Sequence, residues 1–244
     1  MWVADMDFRT APAVLDALRR RVGHGVFGYT KMPQKYFDAV CGWFGRRHGL
    51  SMEPDWILPI SGVVPALTAI IKALVKPGEK VIFQSPAYNC FYTSVTKNGC
   101  SLSLNPLIYK DNTYSIDFAD LERRASDPDA NLLILCNPHN PSGRVWTRDE
   151  LTRVGEICLE NGVFVIADEI HCELTYPGHD YIPFASLSDR FLMNSVTCSS
   201  PSKAFNIAGL EIANIMAADS SVRGRIKEAM KQSELDHINS FGPD

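Results

Sequence analysis

Five short polar clusters hold the residues best suited to chemistry. Lys203 stands among Ser199, Ser200, Pro201, Ser202 and Phe205, directly after an apolar run. Hydroxyls and an aromatic around an amine in a crevice favour its nucleophilic form, whereas a lone loop lysine is ordinarily a solvated charge. Asp168 closes the run Val163-Phe164-Val165-Ile166-Ala167 and opens Asp168-Glu169-Ile170-His171. A carboxylate at the end of a buried strand needs a partner or it neutralises. It is therefore either a cap or surface turn, or the holder of a cationic ligand nitrogen. Asn137-Pro138-His139-Asn140-Pro141-Ser142-Gly143 sets two Asn-Pro steps and a glycine on one rigid path. Such a path can aim the Asn140 amide at a ligand oxygen, though a structural turn reads the same way. Ser61-Gly62-Val63 precedes a helix with Pro65 in its first turn. A glycine before free helical amides suits an anion such as phosphate, and is also an ordinary strand-to-helix turn. The fifth cluster is Ser85-Pro86-Ala87-Tyr88.

Each cluster follows an apolar run. Strands are expected at Ile57–Ile60, Lys80–Gln84, Ser101–Leu104, Asn131–Cys136, Val163–Ala167 and Phe191–Thr197. Helical patterns lie between them at Val64–Val75, Asn89–Lys97, Phe118–Arg124 and Arg148–Leu159, with others at Val14–Val22, Gln34–His48 and Val222–Leu235. Breakers at Lys76-Pro77-Gly78, Asn98-Gly99 and Asn161-Gly162 fall where the chain must turn. Near-continuous apolar strands alternating with helices indicate an α/β fold with a mainly parallel sheet between helices. Such sheets bind ligands at the carboxyl ends of their strands, where all five clusters sit. The literal GxGxxG at Gly23–Gly28 follows a helix rather than a strand and opens no helix, so it lacks the context of a dinucleotide site.

Composition narrows the classes further. The 244 residues are 45% hydrophobic and 21% charged, as in an ordinary globular protein. A net charge of -4 gives no surplus to neutralise nucleic-acid phosphates. The seven cysteines are scattered without CxxC spacing, which reads as buried free thiols in a reducing cytosol and suggests no metal. No apolar run reaches a membrane span, and Met1 to Asp7 lacks the apolar core of a signal peptide. A cytoplasmic protein is expected.

The order Gly62, Tyr88, Asn140, Asp168, Lys203 resembles the large domain of fold type I pyridoxal-phosphate (PLP) enzymes, the aspartate aminotransferase superfamily. Within it, Trp2-Val3-Ala4-Asp5-Met6-Asp7-Phe8, Val26-Phe27-Gly28-Tyr29-Thr30, Asp168-Glu169-Ile170-His171 and Ser202-Lys203-Ala204-Phe205-Asn206-Ile207-Ala208-Gly209-Leu210 are similar to the MalY/PatB-type cystathionine β-lyases. The resemblance covers essentially the whole chain. It implies a seven-stranded-type sheet, with an N-terminal contact segment at 1–35 and the large PLP-binding domain at 36–244. It also implies that Lys203 bonds the cofactor and then moves protons at the substrate Cα and Cβ. Asp168 would keep the pyridine nitrogen protonated, Asn140 would donate to the phenolic oxygen, and Tyr88 would stack on the ring. Gly62 and Val63, with Ser200 and Ser202, would hold the phosphate. Tyr29 would reach the other subunit's site in a homodimer.

Departures from the wider superfamily bear on the reaction. Three residues after the aspartate, aminotransferases usually carry tyrosine; here His171 stands there, as in the β-lyases. Eight residues after the lysine, many carry a phosphate-binding arginine; here it is Glu211, which should point away from a phosphate. Both tilt the expectation to a carbon–sulfur β-lyase acting on L-cysteine conjugates such as cystathionine. The rivals are a class I/II aminotransferase and a catalytically silent or regulatory PLP-binding protein. Relatives of this kind begin before Met1 and continue into a smaller C-terminal domain carrying an arginine for the substrate carboxylate, so the resemblance implies truncation at both ends.

Overall fold

A computed structural model describes residues 4–243. Trp2 and Val3 of the N-terminal motif, together with Met1 and Asp244, lie outside the described residues.

The sheet has seven strands: β1 (Ile57–Ile60), β2 (Lys80–Ser85), β3 (Ser101–Pro106), β6 (Ala130–Cys136), β7 (Phe164–Asp168), β8 (Ser195–Ser199) and β9 (Ala213–Met216). Their spatial order is β1-β9-β8-β7-β6-β2-β3. β9 pairs antiparallel with both neighbours, and every other pairing is parallel. A separate hairpin joins β4 (Ile108–Lys110) to β5 (Thr113–Ser115).

Strand alternation divides the core between the two faces. On β6, Leu132, Ile134 and Cys136 face one apolar cluster, while Leu133 and Leu135 face the other. The first is covered by α3 (Val63–Leu74), α4 (Asn89–Lys97) and α8 (Ser220–Gln232), and the second by α5 (Phe118–Ala125) and α6 (Arg148–Glu160). α6 starts at a capping box, in which Thr147 Oγ1 accepts from Glu150 N and Glu150 Oε2 accepts from Thr147 N. α4 and α6 end where expected, with Gly99 and Gly162 in the left-handed region that favours glycine.

α1 (Pro12–His24) buries no residue, whereas α2 (Gln34–His48) packs Phe44 against Ile57 and Met216. Gly25 of the GxGxxG run is the left-handed cap of α1 and leads into irregular chain, so no helix follows it. No helix among the described residues is long and apolar enough to cross a membrane.

One expected strand requires correction. Phe191–Thr197 is a short helix, α7 (Asp189–Met193), followed by β8. Ser188 Oγ caps the amide of Phe191 at 3.2 Å, and Asn194 Nδ2 donates to Val163 O at 2.8 Å, which breaks the apolar run in two. β9 and the hairpin were not expected. β9 has only four residues, too short an apolar run to stand out.

Candidate functional site

A cavity of about 300 Å³ opens at the carboxyl ends of β6, β7 and β8. It gathers seven of the expected residues: Val63, Tyr88, Asn140, Asp168, His171, Ser202 and Lys203. They come from separate strand-to-helix connections, which the parallel sheet brings to one edge.

Asp168 is 4% exposed and lies on the face covered by α3, in phase with Ile166. The Ile170 amide donates to its Oδ1 at 3.3 Å, and no cation touches the carboxylate among the described residues. Burial pushes its pKa up to about 7, against a partial opposing effect of that amide. Cys136 on β6 and Cys198 on β8 are its register partners, and burial, reinforced by the Asp168 charge, pushes both thiols up. The pocket floor thus holds an acid beside the protonated thiol of Cys136, with that of Cys198 buried on its other side, a ready seat for a cationic nitrogen.

Glu169 follows on the opposite face, wholly buried. It accepts from Phe184 N at 2.8 Å and from the Tyr181 hydroxyl, and burial pushes its pKa to about 8. Glu173, four residues further on, accepts from Trp43 Nε1 at 2.6 Å, from Arg47 at 2.9 Å and shares a 2.6 Å contact with His48 Nε2. These bonds fasten the segment beyond Asp168 to the rear of the fold and to α2.

Lys203 lies in a turn closed by Phe205 N to Pro201 O and Ile207 N to Ser202 O, each 3.0 Å. Its amine makes no hydrogen bond or ion pair among the described residues. His171 also borders the cavity, and burial, with the nearby Lys203 charge, lowers its pKa. The Asn140 side-chain amide has no partner among the described residues, while its backbone N donates to Cys136 Sγ at 3.4 Å. Tyr88, at the N-cap of α4, walls another side. The hydrogen bond with Cys90, then burial and nearby charge, raise its hydroxyl to about 12, so it stays neutral. α3 begins at Val63 with no side-chain cap, which leaves its first amides free for an anion.

Three expected residues lie off the cavity wall. Gly62 is the N-cap residue of α3, adjoining Val63. Ser200 Oγ donates to Ile212 O at 2.6 Å and accepts from Ser202 N at 3.0 Å, so its proton serves the loop, and it lines an apolar cavity with Trp43 and Phe205. Tyr29 is fully exposed and borders a further cleft with Ser61 and Glu211. Glu211 is exposed and is not on the wall that holds Lys203.

Cys136, also on the wall, carries no role in the sequence reading, and Ala4 and Asp5 enter it only as part of the N-terminal segment 1–35 expected to make dimer and active-site contacts. For Cys136 a signal existed, since it precedes Asn137 at the end of the strand beside β7; for Ala4 and Asp5 nothing local placed them there. A free amine, a cation-free buried acid, an unpartnered amide, an aromatic wall and uncapped helical amides form a donor set suited to a flat, cationic, phosphorylated aromatic aldehyde.

The description "Aminotransferase class I and II" matches residues 3–235. The chain is 51% identical over 241 residues to cystathionine beta-lyase PatB of Bacillus subtilis, covering 99% of this chain and 62% of that protein. It is 32% identical over 232 residues to protein MalY of Escherichia coli, covering 94% and 58%. Its fold superposes on the crystal structure of cystalysin from Treponema denticola, which contains a pyridoxal 5'-phosphate cofactor, with a TM-score of 0.93 at 33% identity, covering 98% of this chain and 60% of that one. The chain therefore spans about three fifths of the length of these relatives.

Proposed function

Since the chain belongs to the class I and II aminotransferase family, we propose that it is a PLP-dependent carbon–sulfur β-lyase that cleaves L-cysteine conjugates such as cystathionine to a thiol, pyruvate and ammonia. The observation that carries this reading is the buried Asp168 in one cavity with the Lys203 amine, the acid without a cation and the amine without a partner among the described residues. The resemblance to a named cystathionine β-lyase, and His171 at the position where aminotransferases usually carry tyrosine, support the choice of reaction.

PLP supplies an electron sink for the charge left when a substrate Cα–H bond breaks. Asp168 would keep the ring nitrogen protonated, each charge stabilising the other in a buried site. Asn140 would donate its amide to the phenolic oxygen, and Tyr88 would lie against the ring. The free amides at Gly62 and Val63, with the Ser202 hydroxyl, would receive the phosphate, and Ser200, its proton spent on Ile212 O, would brace Ser202 rather than touch the phosphate itself. Lys203 would hold the cofactor at its aldehyde until the substrate amine takes that place, and the amine so freed would take the proton from substrate Cα and give it back as the thiolate leaves Cβ. Water then completes the balance, since thioether plus water yields thiol, pyruvate and ammonium. A neutral His171 lines the substrate side. In this reading residues 1–35 form a contact segment, 36–244 form the cofactor domain, and Tyr29 serves the partner's site in a homodimer.

The family match also favours transamination as a second reading. Incubating the PLP-loaded protein with cystathionine separates the two. Pyruvate released without any 2-oxo acid supports the lyase, and strict dependence on an added 2-oxo acid overturns it.

A further inference from the structure

Asn206 stands three residues beyond Lys203 with φ 54, in the left-handed region that asparagine tolerates better than other side chains. Its amide reaches 200 residues back along the chain. Nδ2 donates to Met6 O at 2.8 Å and to Phe8 O at 2.9 Å, while Oδ1 accepts from Met6 N at 3.1 Å. Both amide hydrogens and the oxygen are thus used on one stretch of backbone that has no helix or strand of its own. The same stretch presents Ala4 and Asp5 to the cavity that Lys203 also lines, and Phe8 at its end is 77% exposed.

We propose that Asn206 is a positioning residue that clamps residues 4–8 as a movable wall of the cofactor cavity and ties that wall to the lysine loop. Asparagine meets three demands together. It accepts the left-handed turn, it offers a donor pair to the Met6 and Phe8 carbonyls, and it offers an acceptor to the Met6 amide. Aspartate would keep the acceptor but set its charge against two carbonyl oxygens. Glycine would keep the turn and remove the clamp.

The inference rests on the PLP reading above, and its test keeps the two separable. Amide exchange at Met6 is followed by mass spectrometry in the cofactor-free chain, and PLP release by dialysis in the loaded chain, for the wild type, Asn206→Gly and Asn206→Asp. Circular dichroism and thermal unfolding check that the variants fold. Exchange at Met6 is expected to rise about tenfold in Asn206→Gly. PLP release should rise about fivefold, with the unfolding midpoint little changed, as for an opening that is local. Asn206→Asp should follow the same direction. Unchanged exchange at Met6 in both folded variants overturns the clamp. Faster exchange with unchanged PLP release overturns its link to the cavity. A wild type that takes up no PLP overturns the functional reading instead, while Met6 exchange still decides the clamp.

Discussion

Cys136 and Asp168 are register partners at the ends of two adjacent parallel strands, so thiol and carboxyl stand side by side on the cavity floor. Neither can ionise cheaply there, and the nearby negative charge of one raises the other. The pair sets the electrostatics of the site: a buried acid with no counter-charge among the described residues.

That storage has a sign that can be measured. Asp168 has its pKa raised from 3.8 to about 7, so between those values the unfolded chain releases a proton that the folded chain keeps. Its contribution to stability is neutral below about pH 4, worsens as pH rises to 7, and is constant above. In the cofactor-free chain Asp168→Asn should therefore gain about 2 kcal/mol at pH 8, with about 4 as a ceiling, and gain almost nothing at pH 4. Urea unfolding at the two pH values checks this, and a loss of stability at pH 8 would contradict it. The same variant should hold PLP more weakly.

His139 works in the opposite direction. Burial lowers its pKa from 6.5 to about 4, with its Nδ1 at 2.8 Å from Ser142 Oγ and its ring beside Trp146. As pH falls from 6.5 towards 4, the unfolded chain gains a proton that the folded chain refuses, so stability is lost by up to about 3 kcal/mol. His139→Gln should lose less between pH 7 and 4.5 than the wild type does. Equal losses in urea midpoint would show that His139 is not the group responsible.

Gly155 reverses a general rule. Alanine in a helix interior ordinarily stabilises over glycine by up to about 1 kcal/mol. A Cβ at Gly155 of α6, however, would lie 2.5 Å from Phe191 Cζ, and that ring is stacked on Phe184. Gly155→Ala should destabilise by about 1–3 kcal/mol, and thermal unfolding of the pair of proteins decides the sign.

The same Phe191 shows where reading the sequence stopped. Phe191-Leu192-Met193 is apolar enough for a strand, but Gly155 on a distant helix leaves a ring-sized gap that a helical Phe191 fills. No local pattern encodes that gap. Gln34–His48 and Ile57–Ile60 were legible to the residue, because amphipathic spacing and a sharp breaker bound them. β9 was not, since its antiparallel place between β8 and β1 is set by the sheet. The hairpin did leave a trace, in Asp111 and Asn112, both left-handed between two tyrosine-bearing runs. At the site, Lys203, Asp168 and Asn140 could be found because each ends or follows a buried run. Asn206 and its hold on Met6 could not, because the contact joins residues 200 apart.

Lys203 is the amine expected to take the cofactor. Adding PLP to the purified chain, reducing with borohydride and mapping the peptides by mass spectrometry tests this directly. Reduction fixes the cofactor to whichever amine has condensed with it. A single phosphopyridoxyl label on Lys203, lost in Lys203→Ala and weakened in Asp168→Asn, is the predicted result. A label spread over surface lysines, or one that persists unchanged in Lys203→Ala, would contradict it.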